Sequence, residues 1–311
     1  MKLNYNIIYD LVKMSYNVYY DIGSSSWLNI TLTNVTDISV SKDGIRSYLF
    51  TNELKKDVVI AFKGTTAYWV TSNIKINEIG KINESDKTGN KQKDICELSS
   101  SSNDKYNDNL FFSCCYYKQS GLFEKCNTCE TKNGNENTCC KTCYKNSLND
   151  KRNYINELYQ IIEKSKEIID FNNVNIHFTG HSLGGMLASL ASMLYDKPAV
   201  SFETPGDYHY LKMVYNISNL SKTYHFGHNG DPLFTGNCGN LCSFLGYHVN
   251  TKCHSGYTCL YDSKNKLGLG DSLLNHRIEY ITKHIVPNWE NDMPECVQDQ
   301  NCKECEDWVN V

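Results

Sequence analysis

The pentapeptide Gly180-His181-Ser182-Leu183-Gly184 constrains this chain more than any other stretch of its 311 residues. A Gly-x-Ser-x-Gly pattern alone is weak, and its flanks are what give it weight. Before it runs Asn173–Thr179 (NVNIHFT), where Ile176 and Phe178 alternate with polar positions as in a strand. After it runs Leu183–Tyr195, rich in Leu, Ala and Ser, which reads as a helix. A strand that turns directly into a helix needs small residues, so that the chain can reverse sharply and the two backbones can approach. Gly180 and Gly184 supply them, and Gly185 extends the small patch. This setting presents the Ser182 hydroxyl at the helix N-terminus, the geometry of a nucleophile elbow. The competing reading is a glycine-rich helix start with a solvent-facing serine.

A serine hydroxyl is a weak nucleophile and needs a base oriented by a third group. On a strand–turn–helix scaffold the chain order is Ser, then Asp or Glu, then His. Asp231, in His228-Asn229-Gly230-Asp231-Pro232, and His276, in Leu274-Asn275-His276-Arg277-Ile278, fit that order. Asp207 competes with Asp231, and His284 competes with His276. His181 adjoins the serine but is expected to point away from its Oγ, and His177 reads as a packed strand histidine. Acyl chemistry also needs donors for a developing oxyanion. The N–H of Leu183 is one candidate. The other is Thr65, in Phe62-Lys63-Gly64-Thr65-Thr66 after the apolar run Val58–Phe62, a segment that also reads as an ordinary strand-end turn.

Around these motifs, strands and helices alternate across residues 58–285. That pattern predicts an α/β fold with a mainly parallel sheet and helices on both faces. Extended runs are expected at Ile30–Val40, Ile45–Phe50, Val58–Phe62, Ala199–Glu203 and Thr223–Phe226, and an amphipathic helix over residues 149–170. One domain is expected over residues 1–311. It carries a polar, then Cys-rich, insertion over 72–147, with 72–109 read as surface chain, and a Cys-containing tail over 286–311. Tyr68, Trp69 and Val70, beside the Thr65 loop, suit either an acyl contact or core packing. Residues 1–22 read as an amphipathic helix, without the apolar core of a signal peptide or anchor. No transmembrane segment is expected, and a formal charge of −4 gives no reason to expect a nucleic-acid partner.

The 15 cysteines demand an explanation, because free thiols in that number are a liability and disulfides need an oxidising compartment. Cys126-x2-Cys129 and Cys140-x2-Cys143 have zinc-ligand spacing. The adjacent pairs Cys114-Cys115 and Cys139-Cys140 fit disulfides better, and an odd total leaves at least one thiol over if the others pair. Five Asn-x-Ser/Thr matches equal what 36 Asn produce by chance and decide nothing.

FKGTT, GHSLGG and the late Asp/His pair resemble the class 3 (fungal-type) lipases. Within that class, TGHSLGGMLASL (179–190), VSFETPGD (200–207), YHFGHNGDPLFTGNC (224–238) and LGLGDSLLNHRI (267–278) are similar to the autophagic-body branch of vacuolar phospholipases. The resemblance implies an α/β-hydrolase fold and a hydrolase of lipid esters, working at a lipid or membrane surface with no cofactor and no metal. It implies Ser182 as nucleophile, Asp231 as orienting acid, His276 as base, and Thr65 with Leu183 as the oxyanion hole. It also implies a lumenal or secreted setting, which favours disulfides. Two other outcomes remain compatible with the residues: a small-ester esterase or acyltransferase, and an inactive disulfide-rich binding protein on the same scaffold.

Overall fold

The computed structural model describes residues 3–42, 44–52, 54, 56–66, 101–116, 138–217, 220–298 and 300–310. Its centre is an eight-stranded sheet in the order β1-β2-β3-β5-β6-β7-β8-β9. The strands are β1 (Asn34–Asp37), β2 (Ser47–Thr51), β3 (Asp57–Phe62), β5 (Asn175–His181), β6 (Ala199–Phe202), β7 (Thr223–His228), β8 (Tyr257–Tyr261) and β9 (Cys296–Val297). From β3 to β8 every neighbour is parallel, and β1, β2 and β9 join antiparallel at the two ends. A separate parallel pair joins β4 (Thr138–Cys139) to β10 (Val309–Asn310).

Side chains alternate across a strand, so a strand covered on both faces is apolar throughout. In β3, Val58, Ile60 and Phe62 enter one core cluster while Val59 and Ala61 enter the other. The first cluster is closed by the helices Ser101–Phe111, Tyr154–Lys166, Leu183–Tyr195 and Tyr208–Tyr215. The second is closed by the N-terminal helix Tyr5–Asn17 and the helical run from Ile278 to Glu290, whose Trp289 is fully buried. This is the expected mainly parallel α/β-hydrolase layering. The N-terminal helix starts where the Asn4 side chain accepts the Ile7 N–H, and the Tyr154–Lys166 helix where Asn153 accepts from Ile155.

Boundaries moved in places. The first extended run pairs only over Asn34–Asp37, whereas the Ser182 strand runs two residues further than expected, to His181. β8 had not been singled out. Of the stretch read as surface chain, 72–100 lie outside the described residues. Residues 101–109 belong to a helix whose Tyr106, Leu110 and Phe111 are buried. Tyr68, Trp69 and Val70 also lie outside the described residues.

All twelve described cysteines are disulfide-bonded, including Cys140 and Cys143 of the zinc-like spacing. Cys96, Cys126 and Cys129 lie outside the described residues. Cys114–Cys305 and Cys253–Cys302 staple the C-terminal tail to the body, and Cys259–Cys296 fastens β9 to β8. Cys115–Cys139 and Cys238–Cys242 close shorter loops. No helix among the described residues is long and apolar enough to cross a membrane.

Candidate active site

Register places the site. Phe62 at the end of β3 pairs with Gly180, and His181 pairs with Phe202 at the end of β6. The strand therefore stops between two parallel neighbours, and the helix begins at Leu183. Ser182 lies at the bend with φ 55° and ψ −125°, left-handed backbone that a non-glycine residue rarely adopts. Its N–H is held by Phe202 O at 3.0 Å. The glycines act by what they lack. A Cβ on Gly180 would collide with the Gly184 backbone, and one on Gly184 with the carbonyl oxygen of Phe62. Gly64 is equally constrained, by His181 O and the Tyr19 hydroxyl. These contacts let the β3 loop close onto the elbow.

Ser182, Asp231 and His276 come together from separate loops. Ser182 Oγ lies 2.9 Å from His276 Nε2, and His276 Nδ1 lies 2.6 Å from Asp231 Oδ2. Asp231 Oδ1 accepts the Leu233 N–H at 2.8 Å. Asp231 is completely buried and Ser182 only 7% exposed. Burial pushes the Asp231 carboxyl up, but the His276 charge and the hydrogen bonds from His276 and Glu203 outweigh it. The net effect is to hold the group below the ordinary aspartate value. It therefore stays ionised, the state that can orient an imidazole.

The two loops are tied to each other. Asn275 Nδ2 donates to Gly230 O and Gly270 O, and the Asn275 carbonyl accepts from His228 Nε2 at 3.2 Å. As expected, His181 points away from Ser182 Oγ. Its Nε2 donates to the His276 carbonyl at 2.7 Å, so its Nδ1 accepts from the Tyr19 hydroxyl at 2.9 Å. Burial, aided by His276, lowers His181 to about 3, which keeps it neutral in this linking role.

Leu183 follows the serine in sequence, and Thr65 follows Gly64, which packs on the His181 carbonyl. As the first helical residue, Leu183 has an N–H with no acceptor inside the helix. Thr65 is braced from the Ser101–Phe111 helix. Its Oγ1 donates to Asp108 Oδ2 at 2.7 Å, and the Thr66 N–H donates to Asp104 Oδ2 at 2.9 Å. Asp104 is fixed in turn by the Tyr154 hydroxyl at 2.6 Å. Burial raises the Asp108 carboxyl well above its ordinary value. Sequence reasoning assigned no role to Asp104 or Asp108.

The rivals fall elsewhere. Asp207 Oδ1 and Oδ2 accept the Ser255 N–H and hydroxyl, and Asp207 faces His225 at 3.6 Å. Ser201 Oγ is 2.8 Å from His225 Nδ1, so a second Ser-His-Asp set exists; all three residues are fully buried and no substrate can reach them. His284 is exposed and its ring lies tilted beside that of Tyr280. No cluster of three metal-ligating side chains occurs among the described residues.

Residues 119–232 match the family model described as Lipase (class 3). Over those residues the chain is similar to the class 3 lipases. The protein named "Putative lipase ATG15" in Saccharomyces cerevisiae (strain YJM789) is 32% identical over 298 residues, covering 92% of this chain and 52% of its own length. Its namesake in Eremothecium gossypii is 33% identical over 305 residues, covering 93% of this chain and 51% of its own length. The chain thus spans about half the length of the curated relatives it matches. Among solved structures, the Lip2 lipase of Yarrowia lipolytica is similar at 15% identity and a TM-score of 0.39, over 82% of this chain and 78% of that one. The motifs that carried the family resemblance, FKGTT and GHSLGG, lie side by side at the ends of β3 and β5.

Proposed function

We propose that this chain hydrolyses acyl esters of glycerophospholipids or triacylglycerol by serine catalysis. The observation that carries the reading is the continuous relay from Ser182 Oγ through His276 to a buried, ionised Asp231 at a strained elbow.

In the proposed reaction His276 Nε2 takes the Ser182 proton as Oγ attacks the ester carbonyl. The oxyanion forms toward the N–H groups of Leu183 and Thr65. His276 then gives the proton to the leaving alcohol, and water repeats the cycle to release the fatty acid. Asp231 holds Nδ1 protonated, so that Nε2 is the basic nitrogen. Every group needed is a side chain or backbone amide of this chain, and no step calls for a metal or cofactor.

A lipid substrate is supported by the family and by Leu274, an exposed apolar side chain two residues from the base. The paired cysteines support maturation in an oxidising compartment, whether a vacuole- or lysosome-like lumen or outside the cell. The test is fatty-acid release from dispersions of phosphatidylserine, phosphatidylcholine and triacylglycerol, comparing wild type with Ser182→Ala. Release that disappears in the variant is the expected result. Release that survives removes Ser182 from the mechanism, and wild-type protein that neither releases fatty acid nor reacts with a fluorophosphonate probe refutes the enzymatic reading.

A further inference from the structure

Glu203 follows β6 directly and is fully buried. Its φ is 47°, in the left-handed region that favours glycine. A long acidic side chain at such a position, inside the protein, is doubly unfavourable unless the carboxyl has a task. Its surroundings specify one. The backbone N–H of Glu203 is held by Phe226 O at 2.8 Å, which fixes the residue between β6 and β7. Oε2 accepts the His228 N–H at 3.3 Å. Oε1 receives no N–H or O–H donor among the described residues. The same carboxyl lies beside the carboxyl of Asp231, whose backbone N–H is bonded to the His228 carbonyl.

Two carboxyl groups can share a hydrogen bond only if one of them carries a proton. Asp231 already accepts from His276 Nδ1 and from the Leu233 N–H, both of which favour its ionised form. Among the described residues Glu203 has one weak donor and no cation. His228 Nε2 is 3.8 Å from Oε1, but its proton is directed at Asn275 O, and its Nδ1 is engaged by the Ser263 hydroxyl. His228 is itself held neutral, chiefly by burial. The titratable groups around Glu203 are therefore Asp231, His228 and, through Asp231, His276. Burial and then the Asp231 charge drive the Glu203 carboxyl well above its ordinary value. The proton belongs on Oε1, the oxygen no other donor reaches.

We propose that Glu203 is a positioning residue for the triad, a neutral carboxylic acid whose Oε1–H donates to Asp231 and holds that carboxylate in place against His276. This rests on the serine-hydrolase reading of the same site. Glu203 touches neither substrate nor reacting atoms and acts through Asp231. With the third donor in place, the Asp231 charge is spread over three hydrogen bonds. Without it, the carboxylate is free to rotate and its charge bears more heavily on His276.

Two variants separate this role from a merely structural one. Glu203→Gln keeps an N–H for Asp231 and an oxygen for the His228 N–H, and cannot ionise. Glu203→Gly removes the donor while suiting the positive φ, so the backbone is not the reason for any loss. Hydrolysis of a soluble ester is measured against pH, with active sites counted by fluorophosphonate titration. The Glu203→Gln enzyme is expected to keep kcat within about threefold and the wild-type acid limb. Glu203→Gly should lose about 10- to 100-fold in kcat, as for one hydrogen bond to a charged group, with KM unchanged and the acid limb moved to higher pH. The far-downfield proton resonance of His276 Nδ1 gives a readout that needs no turnover: it should shift in Glu203→Gly and stay in Glu203→Gln. A wild-type acid limb and an unmoved resonance in Glu203→Gly overturn the proposal, as does a Glu203→Gln variant that shifts as far as Glu203→Gly. Failure of the enzymatic reading looks different, because wild type itself is then unlabelled and inactive while the resonance still reports on Glu203.

Discussion

Glu304 offers a stability prediction with a definite sign. It sits in the C-terminal tail between Cys302, bonded to Cys253, and Cys305, bonded to Cys114. Its Oε2 accepts the N–H groups of Lys252 and Cys253 at 2.7 and 2.8 Å. Burial pushes the carboxyl from 4.5 up to about 7; the backbone donors oppose it and Asp207 adds to it. The folded protein therefore binds this proton more tightly than the unfolded chain does. Stability is greatest below pH 4.5 and falls as pH rises toward about 7, by roughly 3 kcal/mol for this one group. Glu304→Gln is neutral at every pH, and its amide oxygen can keep both backbone donors. Urea unfolding followed by tryptophan fluorescence, with disulfides intact, should find the two proteins equal near pH 4.5. The Gln variant should be more stable by up to about 3 kcal/mol at pH 8. Other titrating groups cancel in the difference. A pH-independent difference, or a Gln variant less stable at pH 8, refutes the argument. The consequence reaches the site, because the 250–253 loop rests on the Phe112 carbonyl, beside the helix whose Asp104 and Asp108 brace Thr66 and Thr65.

Three further outcomes follow from contacts at the elbow. In Asp231→Asn the Leu233 N–H should claim the amide oxygen, turning the NH2 toward His276 Nδ1 and forcing the wrong tautomer, with kcat on a soluble ester falling about 10⁴-fold. Gly184→Ala drives a methyl into the Phe62 carbonyl and should cost about 100-fold or more in kcat, while Gly270→Ala, which meets nothing within 4 Å, should leave the rate unchanged. Thr65→Val removes the hydroxyl bond to Asp108 but keeps the backbone N–H. It should lower kcat about 10- to 100-fold with little change in KM, and an unaltered kcat would show that Asp108 does not brace this loop.

What was legible in the sequence was local chemistry. The elbow could be read because strand period, small residues and helix composition meet within twenty positions, and the helix Leu183–Tyr195 formed over the residues its composition indicated. Chain order pointed to Asp231 and His276 but left Asp207 and His284 open, because order says nothing about which loop ends converge. Convergence is set by register: β7 lies two strands from β5, so its C-terminal loop carries Asp231 to the elbow, while Asp207 is drawn away by Ser255. The braces were invisible for the same reason. Asp108 meets Thr65 across 43 residues, and Cys114 meets Cys305 across 191. Composition also misled at Ser101–Phe111, where polar residues resemble surface chain. Asp104 and Asp108 are buried there because they hold the Thr65–Thr66 loop rather than face water. Glu203 is the sharpest case. Its place directly after β6 reads as an ordinary strand end, and only the positive φ, the complete burial and the neighbouring Asp231 show that an acid stands where glycine would fold more easily. In this domain the residues that depart from local preference, Ser182 and Glu203 in backbone and Asp104 and Asp108 in burial, all gather at the ends of β3, β5 and β6, where the parallel strands open toward the serine.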